Sequence, residues 1–304
     1  ACPPGKYGTN ALQETASSCK SCGAGKYGSA ITGDRKVEST GCIECPKGKH
    51  SKDSGLSNQD QCKDCPAGRR STKLGWPGEC EGCKTGRFSA VVAAKIDQCD
   101  NCPTGFAQGR RNQTFCDVCM PGFWQDVVGQ SKCKSCATGE YAANARAKSC
   151  KLCPRGKYQT QSGQPICLAC IPGRTGSLEG LDYDCRECEP GRHMPHQNSS
   201  AVECEACSEG KHQSEAGKIS CNDCVSGRFH ALLGASQCKE CPSGWSQSES
   251  MATFCEACLP GSYQNEPGKV SCKDCSTGRF GASGASSSEC EECPLGWVQV
   301  GSGK

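Results

Sequence analysis

The sequence predicts a small disulfide-rich fold, mostly irregular with β character. It is organised as an elongated, solenoid-like tandem array of hairpin modules with no central hydrophobic core. Three observations predict it. Of 304 residues, 33 are cysteine, while aromatic residues make up only 6%. Every cysteine except Cys2 belongs to one of sixteen C-x-x-C pairs. Glycine stands three residues after Cys2 and after the second cysteine of every pair, from Gly5 and Gly25 to Gly278 and Gly296.

The first observation excludes an ordinary large domain. A chain of this length forms one large domain or two ordinary ones only if it buries a core. Its hydrophobic fraction of 35% counts the cysteines, only three residues are Met, and no long apolar run occurs. Cross-links must then offset the conformational entropy of ordering the chain. The net charge of +3 comes from 35 basic and 32 acidic residues with interspersed signs. That balance gives no nucleic-acid stripe and no membrane-docking patch. No 18-residue apolar stretch exists, so this segment holds no membrane span. The chain opens on ACPPGKYG, without an initiator Met or a signal peptide, and reads as a mature product or a segment of something longer.

The second and third observations define the repeat as C-x-x-G-[K/R]-[Y/F], about eight polar residues, then C-x-x-C. Modules are numbered here by their opening cysteines: Cys2, Cys22, Cys45, Cys65, Cys83, Cys102, Cys119, Cys136, Cys153, Cys170, Cys188, Cys207, Cys224, Cys241, Cys258, Cys275 and Cys293. Residues 2–292 form sixteen modules of about 17–23 residues, and residues 293–304 begin a truncated seventeenth. Opening and closing cysteines are 14 residues apart in eight modules, and 15, 16, 17 or 20 apart in the rest. Units this short and polar cannot bury a helical face. Two short strands joined by turns fit better, with glycine supplying a positive φ at Pro121-Gly122, Pro172-Gly173 and Pro260-Gly261. At most a helical turn is expected in ARAKSC (145–150) or SAVVAAKIDQC (89–99). A longer rhythm of 105 residues relates the 15-residue spacings at Cys65, Cys170 and Cys275 and the 16-residue ones at Cys83 and Cys188.

The pairs admit three chemistries. Four-cysteine zinc sites match the C-x2-C…C-x2-C layout, but such sites should alternate tight and loose connections, and here every step is alike. The histidines do not complete a ligand set: His50, His193 and His212 stand at the aromatic position, and His196 and His230 are isolated. A redox dithiol needs a helix N-terminus beside a βαβ core, which this composition does not supply. A serial joint explains the uniformity directly. If the second cysteine of each pair bonds forward to the first of the next, the bonds are Cys2–Cys19, Cys22–Cys42, Cys45–Cys62, Cys65–Cys80, Cys83–Cys99, Cys102–Cys116, Cys119–Cys133 and Cys136–Cys150. They continue as Cys153–Cys167, Cys170–Cys185, Cys188–Cys204, Cys207–Cys221, Cys224–Cys238, Cys241–Cys255, Cys258–Cys272 and Cys275–Cys290, leaving only Cys293. Each ring of roughly 15 residues contributes about 3 kcal/mol in the chain-entropy model. In such a ladder each module touches only its neighbours, rising about 10 Å per module.

At CPPGKYG, CPRGKYQTQSGQPICLAC and CLPGSYQNEPGKVSCKDC the chain resembles the ephrin-receptor-like cysteine-rich repeat, and more loosely the first submodule of tumour-necrosis-factor-receptor domains. The resemblance implies the same forward pairing and a place on cell surfaces. Arg70, Ala107, Thr175, Ser246 and Val298 depart from it at the aromatic position. Disulfides in this number require an oxidising, secreted or cell-surface setting. The sequons Asn112-Gln113-Thr114 and Asn198-Ser199-Ser200 are N-glycosylation candidates in keeping with it.

The remaining signals concern surfaces. Lys or Arg follows the repeat glycine in eleven of seventeen modules, and twelve of sixteen C-x-x-C pairs enclose an acidic residue, such as Glu44, Asp64 or Glu205. These charges read either as a ladder holding modules or chains in register or as a solvated surface. Tyr7, Tyr27, Phe88, Tyr141, Tyr158, Phe229, Tyr263 and Phe280 are expected to cover disulfides. Phe123, Trp124, Trp245 and Trp297 are expected between modules or against another chain. No catalytic constellation, metal site or cofactor motif stands out, so an enzyme is not expected. The expected role is extracellular and structural, a disulfide-stapled glycoprotein building block of a surface fibre, flagellar hair-like filament or cell coat. It would associate with itself or with other matrix or surface proteins. The alternative is a stalk or ligand-binding ectodomain of a surface receptor or adhesin.

Overall fold

The computed structural model describes residues 2–8, 18–29, 35–94, 99–195 and 202–303. His196 and Asn198 lie outside the described residues. The backbone divides into two compact units. One is Ala1–Ala137 with Tyr141–Lys151 and Ser162–Ile166; the other is Thr138–Glu140 with Leu152–Gln161 and Cys167–Lys304. Each is a tandem array of two-stranded antiparallel hairpins with almost no helix.

Every hairpin has the same origin. The turn C-x-x-G closes with the N–H three residues on, as in Lys49 N to Pro46 O at 3.1 Å in the first unit and Lys211 N to Ser208 O at 3.1 Å in the second. Its glycine takes φ from +75° to +88°, which the third position of a type II turn requires. The two residues after the glycine form the first strand, and the two residues inside the next C-x-x-C form the second. Thus Phe123–Trp124 pairs with Lys134–Ser135 in the first unit, and Lys211–His212 with Asn222–Asp223 in the second. Helix among the described residues is limited to single turns such as Glu38–Gly41 and Gln59–Gln61. ARAKSC holds none, because Arg146 sits at φ +65° and breaks any helical path there.

Four backbone hydrogen bonds fasten one interior module to the next in both units. In the first unit Gly105 N donates to Gln125 O (2.8 Å), Gln108 N to Gln130 O (3.1 Å), Gly129 N to Cys102 O (2.8 Å) and Cys119 N to Gly105 O (2.9 Å). The second unit repeats the set: Gly227 N to Gln247 O (2.7 Å), His230 N to Ala252 O (3.1 Å), Met251 N to Cys224 O (2.8 Å) and Cys241 N to Gly227 O (2.9 Å). At the N-terminal end the carbonyl of Cys2 accepts from a side chain. The buried Arg35 guanidinium donates to Cys2 O at 2.9 Å and to Ser29 O at 2.7 Å.

Contacts are not confined to nearest neighbours, which corrects the expectation of a simple ladder. Among the described residues, the one ten positions after an opening cysteine adopts a left-handed conformation, and in both units its carbonyl rests on a repeat glycine two modules upstream. A methyl group on Gly122 would collide with Gly163 O in the first unit, and one on Gly227 with Gly268 O in the second. The repeat glycine therefore serves both the turn and a close backbone approach. Ala93, Asn112, Arg146, Met251 and Ala285 fill the left-handed position without being glycine.

The core is cystine. Opening cysteines from Cys22 to Cys275 are no more than 2% exposed. Beside them lies a feature the sequence reading missed, a row of buried glutamines six residues after the opening cysteine: Gln108, Gln125, Gln159, Gln213, Gln247 and Gln264. Each amide clips its own ring. Gln125 Nε2 donates to Lys132 O at 2.8 Å and its Oε1 accepts from Val127 N at 3.1 Å. Gln213 does the same with Ser220 O (2.8 Å) and Glu215 N (3.1 Å). All six belong to rings with a cysteine separation of 14. In the wider rings opened by Cys45, Cys65 and Cys83 the position holds Ser51, Ser71 and Ser89, which reach only the backbone two residues on.

Replacing Gln125 by Ala removes both hydrogen bonds that its buried amide makes, to the Lys132 carbonyl and from the Val127 N–H. The expected local loss is about 1–3 kcal/mol. It should be read as faster amide exchange at Val127, with exchange in distant modules unchanged.

Candidate functional site

The candidate site is the joint itself, repeated along the chain. The structure joins Cys2 to Cys19, Cys22 to Cys42, Cys45 to Cys62, Cys65 to Cys80, Cys83 to Cys99, Cys102 to Cys116, Cys119 to Cys133 and Cys136 to Cys150. It then joins Cys153 to Cys167, Cys170 to Cys185, Cys188 to Cys204, Cys207 to Cys221, Cys224 to Cys238, Cys241 to Cys255, Cys258 to Cys272 and Cys275 to Cys290, and leaves Cys293 unpaired. Cα–Cα distances of 5.6–5.9 Å across these bonds lie in the ordinary range for a disulfide. Each C-x-x-C thus closes one ring and opens the next, while its two middle residues serve as the second strand of the closing hairpin.

The aromatic position covers the ring of the following module. Tyr158, in module 9, packs against the cluster of Cys170, Leu181, Cys185, Cys188 and Met194, which contains the ring of module 10. Burial there, then the nearby Asp184 carboxylate, raises the Tyr158 phenol above its ordinary pKa. At three positions where the aromatic is replaced, the same contact becomes polar. His193 Nδ1 lies 3.2 Å from Cys221 Sγ, His212 Nδ1 lies 3.1 Å from Cys238 Sγ, and Ser246 Oγ lies 3.3 Å from Cys272 Sγ. His50 differs, with Nδ1 bound to Gly78 O at 2.8 Å. His193 with Cys207 and Cys221, and His212 with Cys224 and Cys238, group three potential metal ligands within 4.8 Å. Both cysteine pairs are disulfides, so their sulfurs offer no thiolate to an ion.

The repeated charges pair across single hairpins. Lys49 meets Asp64 at 2.7 Å, Arg174 meets Glu187 at 2.8 Å and Lys211 meets Asp223 at 3.0 Å. Arg228 with Glu240, and Arg279 with Glu292 at 3.4 Å, follow the same register. Exposed pairs of this type contribute about 0–1 kcal/mol each. Modules 3 and 4 add a cleft of about 490 Å³ lined by His50, Lys52, Asp53, Lys63, Arg69 and Glu79. Glu79 holds Lys52 at 2.7 Å and Arg69 at 3.3 Å. These cations, Lys52 first, lower its carboxyl pKa below the ordinary glutamate value.

Asn112 is exposed and occupies the left-handed position of module 6 at φ +62°. Its side chain lies over Gly82, where a methyl group would overlap Asn112 Oδ1. Gly82 is the only glycine between the cysteines of any pair. The two positions therefore fit each other: a glycine in the joint gives room to a side chain where most modules have none. The signal in the sequence was this exchange of glycine between positions thirty residues apart. Trp124 bridges to Ala147, and Lys134 stands over its ring at 4.6 Å, while Trp245 and Trp297 are exposed.

Residues 139–185 and 248–289 match the family model described as tyrosine-protein kinase ephrin type A/B receptor-like. No curated protein gives a match to the chain. No helix among the described residues is long and apolar enough to cross a membrane. Serial disulfides, which persist in oxidising surroundings, together with these repeats indicate an extracellular domain.

Non-reducing peptide mapping of the folded chain should recover Cys19–Cys2 and Cys22–Cys42 as separate cross-linked peptides. Detection of Cys19 bonded to Cys22 would refute the serial joint.

Proposed function

We propose that this array of ephrin-receptor-like cysteine-rich repeats is a non-catalytic structural segment of an extracellular assembly, a surface fibre, flagellar hair-like filament or cell coat. The observation that carries this reading is the uniformity of the module contacts. In each unit the ring closure, the four hydrogen bonds and the carbonyl-on-glycine approach recur from module to module. Such a segment is cross-linked at every step, so a single proteolytic cut inside a ring leaves the chain joined. Apolar side chains that remain exposed, among them Met120, Ile171, Val225 and Leu259 just after opening cysteines, supply surface for self-association or for other matrix proteins.

A second reading, a stalk or ectodomain that binds a ligand, is favoured by the charged cleft of modules 3 and 4. It departs from the uniform pattern, and its size suits a small ligand or a glycan terminus.

Negative-stain microscopy and light scattering of the native material separate the two. Polymeric fibres are the expected result; monodisperse monomers across concentrations would overturn the structural reading.

The proposed role includes N-linked glycans. Asn112 is the described candidate, displayed by its fit to Gly82, and Asn198 stands at the same register, ten residues after its opening cysteine. Enzymatic removal of N-glycans from the secreted chain should convert Asn112 to Asp in peptide mass spectra. An Asn112→Gly variant should fold unchanged and lose that glycan, because glycine is the residue most modules carry there.

A further inference from the structure

We propose that the disulfides Cys207–Cys221 and Cys224–Cys238 are the array's preferred sites of thiol–disulfide exchange, with His193 and His212 assisting the reaction. The proposal is independent of the assembly reading. It rests on a contact that occurs twice in successive modules, an imidazole nitrogen at 3.2 Å or 3.1 Å from a disulfide sulfur.

A disulfide sulfur carries no hydrogen, so it can only accept in this contact. The proposal assigns the proton to Nδ1 of each ring, so that Nδ1–H points at the sulfur. In eight modules the position holds Tyr or Phe, whose rings bring no comparable donor to the bond, and the other polar group set against a disulfide is the Ser246 hydroxyl, 3.3 Å from Cys272 Sγ. Thiol exchange places negative charge on the departing sulfur, and its rate rises with the stability of that leaving group. A hydrogen-bond donor already seated at the disulfide stabilises this charge as it forms.

The reacting partner is a low-molecular-weight thiol. At the first site Cys221 is half-buried whereas Cys207 is fully buried, so the incoming thiolate reaches Cys221. A bond forms between the thiol sulfur and Cys221 Sγ, the Cys207–Cys221 bond breaks, and its electron pair goes to Cys207. The imidazole nitrogen lies within 4.8 Å of that sulfur as well as of Cys221, close enough to turn its N–H toward the new thiolate. A second thiolate then attacks the mixed disulfide and releases Cys221. The balance is one protein disulfide reduced to two thiols and two small thiols oxidised to one disulfide. The second site follows the same course with His212, Cys224 and Cys238. Opening both rings frees modules 12 and 13 together while the other rings stay closed. That creates one defined place where another thiol-bearing chain can be attached.

The test exposes the native, fully oxidised chain to limiting 2-mercaptoethanol without denaturant, quenches with an alkylating reagent and maps the labelled cysteines over time. Cys207, Cys221, Cys224 and Cys238 should be labelled about tenfold faster than Cys241 and Cys255, whose upstream residue at this position is Phe229. His193→Phe should slow labelling of Cys207 and Cys221 to the Cys241–Cys255 rate and leave Cys224 and Cys238 unchanged. His193→Gln, which keeps an N–H donor, should restore much of the rate. Equal labelling of all these rings in the native chain would overturn the proposal. So would a His193→Gln variant as slow as His193→Phe, because the imidazole would then act by packing alone. Oxidised distant rings in every variant provide the control that the fold is intact.

Discussion

The spacing of two residues between a closing and an opening cysteine is the constraint on which the rest of the structure depends. Two residues are enough for one antiparallel pairing with the strand after the repeat glycine, and no more. Because the same short segment ends one ring, pairs with its first strand and starts the next ring, no module can rotate freely against the following one. A longer spacer would decouple the rings into beads on a linker. A shorter one would leave no residues to complete the hairpin.

From that constraint the glycine requirement follows. The joint brings successive turns so close that the backbone of one module reaches past its neighbour. At Gly122 the space beside Cα is taken by the Gly163 carbonyl, and at Gly227 by that of Gly268. Main-chain polar groups at the module interface then find partners in the next module rather than in water, as accounting for buried backbone groups demands. Cystine fills the interior that aliphatic side chains would fill in a larger domain. Each ring restricts the unfolded chain by about 3 kcal/mol and offsets the missing apolar burial.

Variation in ring length changes which side chain stabilises the loop. In six of the eight rings whose cysteines are 14 apart, a glutamine sits six residues after the opening cysteine and reaches the carbonyl before the closing one, as Gln247 does to Phe254 O at 2.8 Å. Where they are 15 to 17 apart in modules 3 to 5, a serine holds the position and bonds to the backbone two residues on. The widest ring, Cys22–Cys42, encloses a buried arginine, Arg35, whose guanidinium donates to Cys2 O. Departures from the repeat therefore mark local chemistry: Arg35, the cleft at Glu79, the histidines at rings 12 and 13, and Asn112 over Gly82.

The sequence by itself determined the class of fold: an array of small two-stranded hairpins, stapled by cystine and suited to oxidising surroundings. Those properties depend on neighbours within one or two modules, and a period of cysteine and glycine records them directly. Only the tertiary structure decided that modules overlap beyond nearest neighbours, that Tyr158 covers the ring ahead of it, and that buried glutamines clip the 14-residue rings. It also decided that His193 and His212 face sulfur whereas His50 faces a carbonyl. The overlap joins residues 41 positions apart and the histidine contacts residues 26 to 28 apart, whereas each glutamine clip spans only two and seven positions. A polar residue in a repeat of polar residues gives no local sign of which of them the next ring will bury.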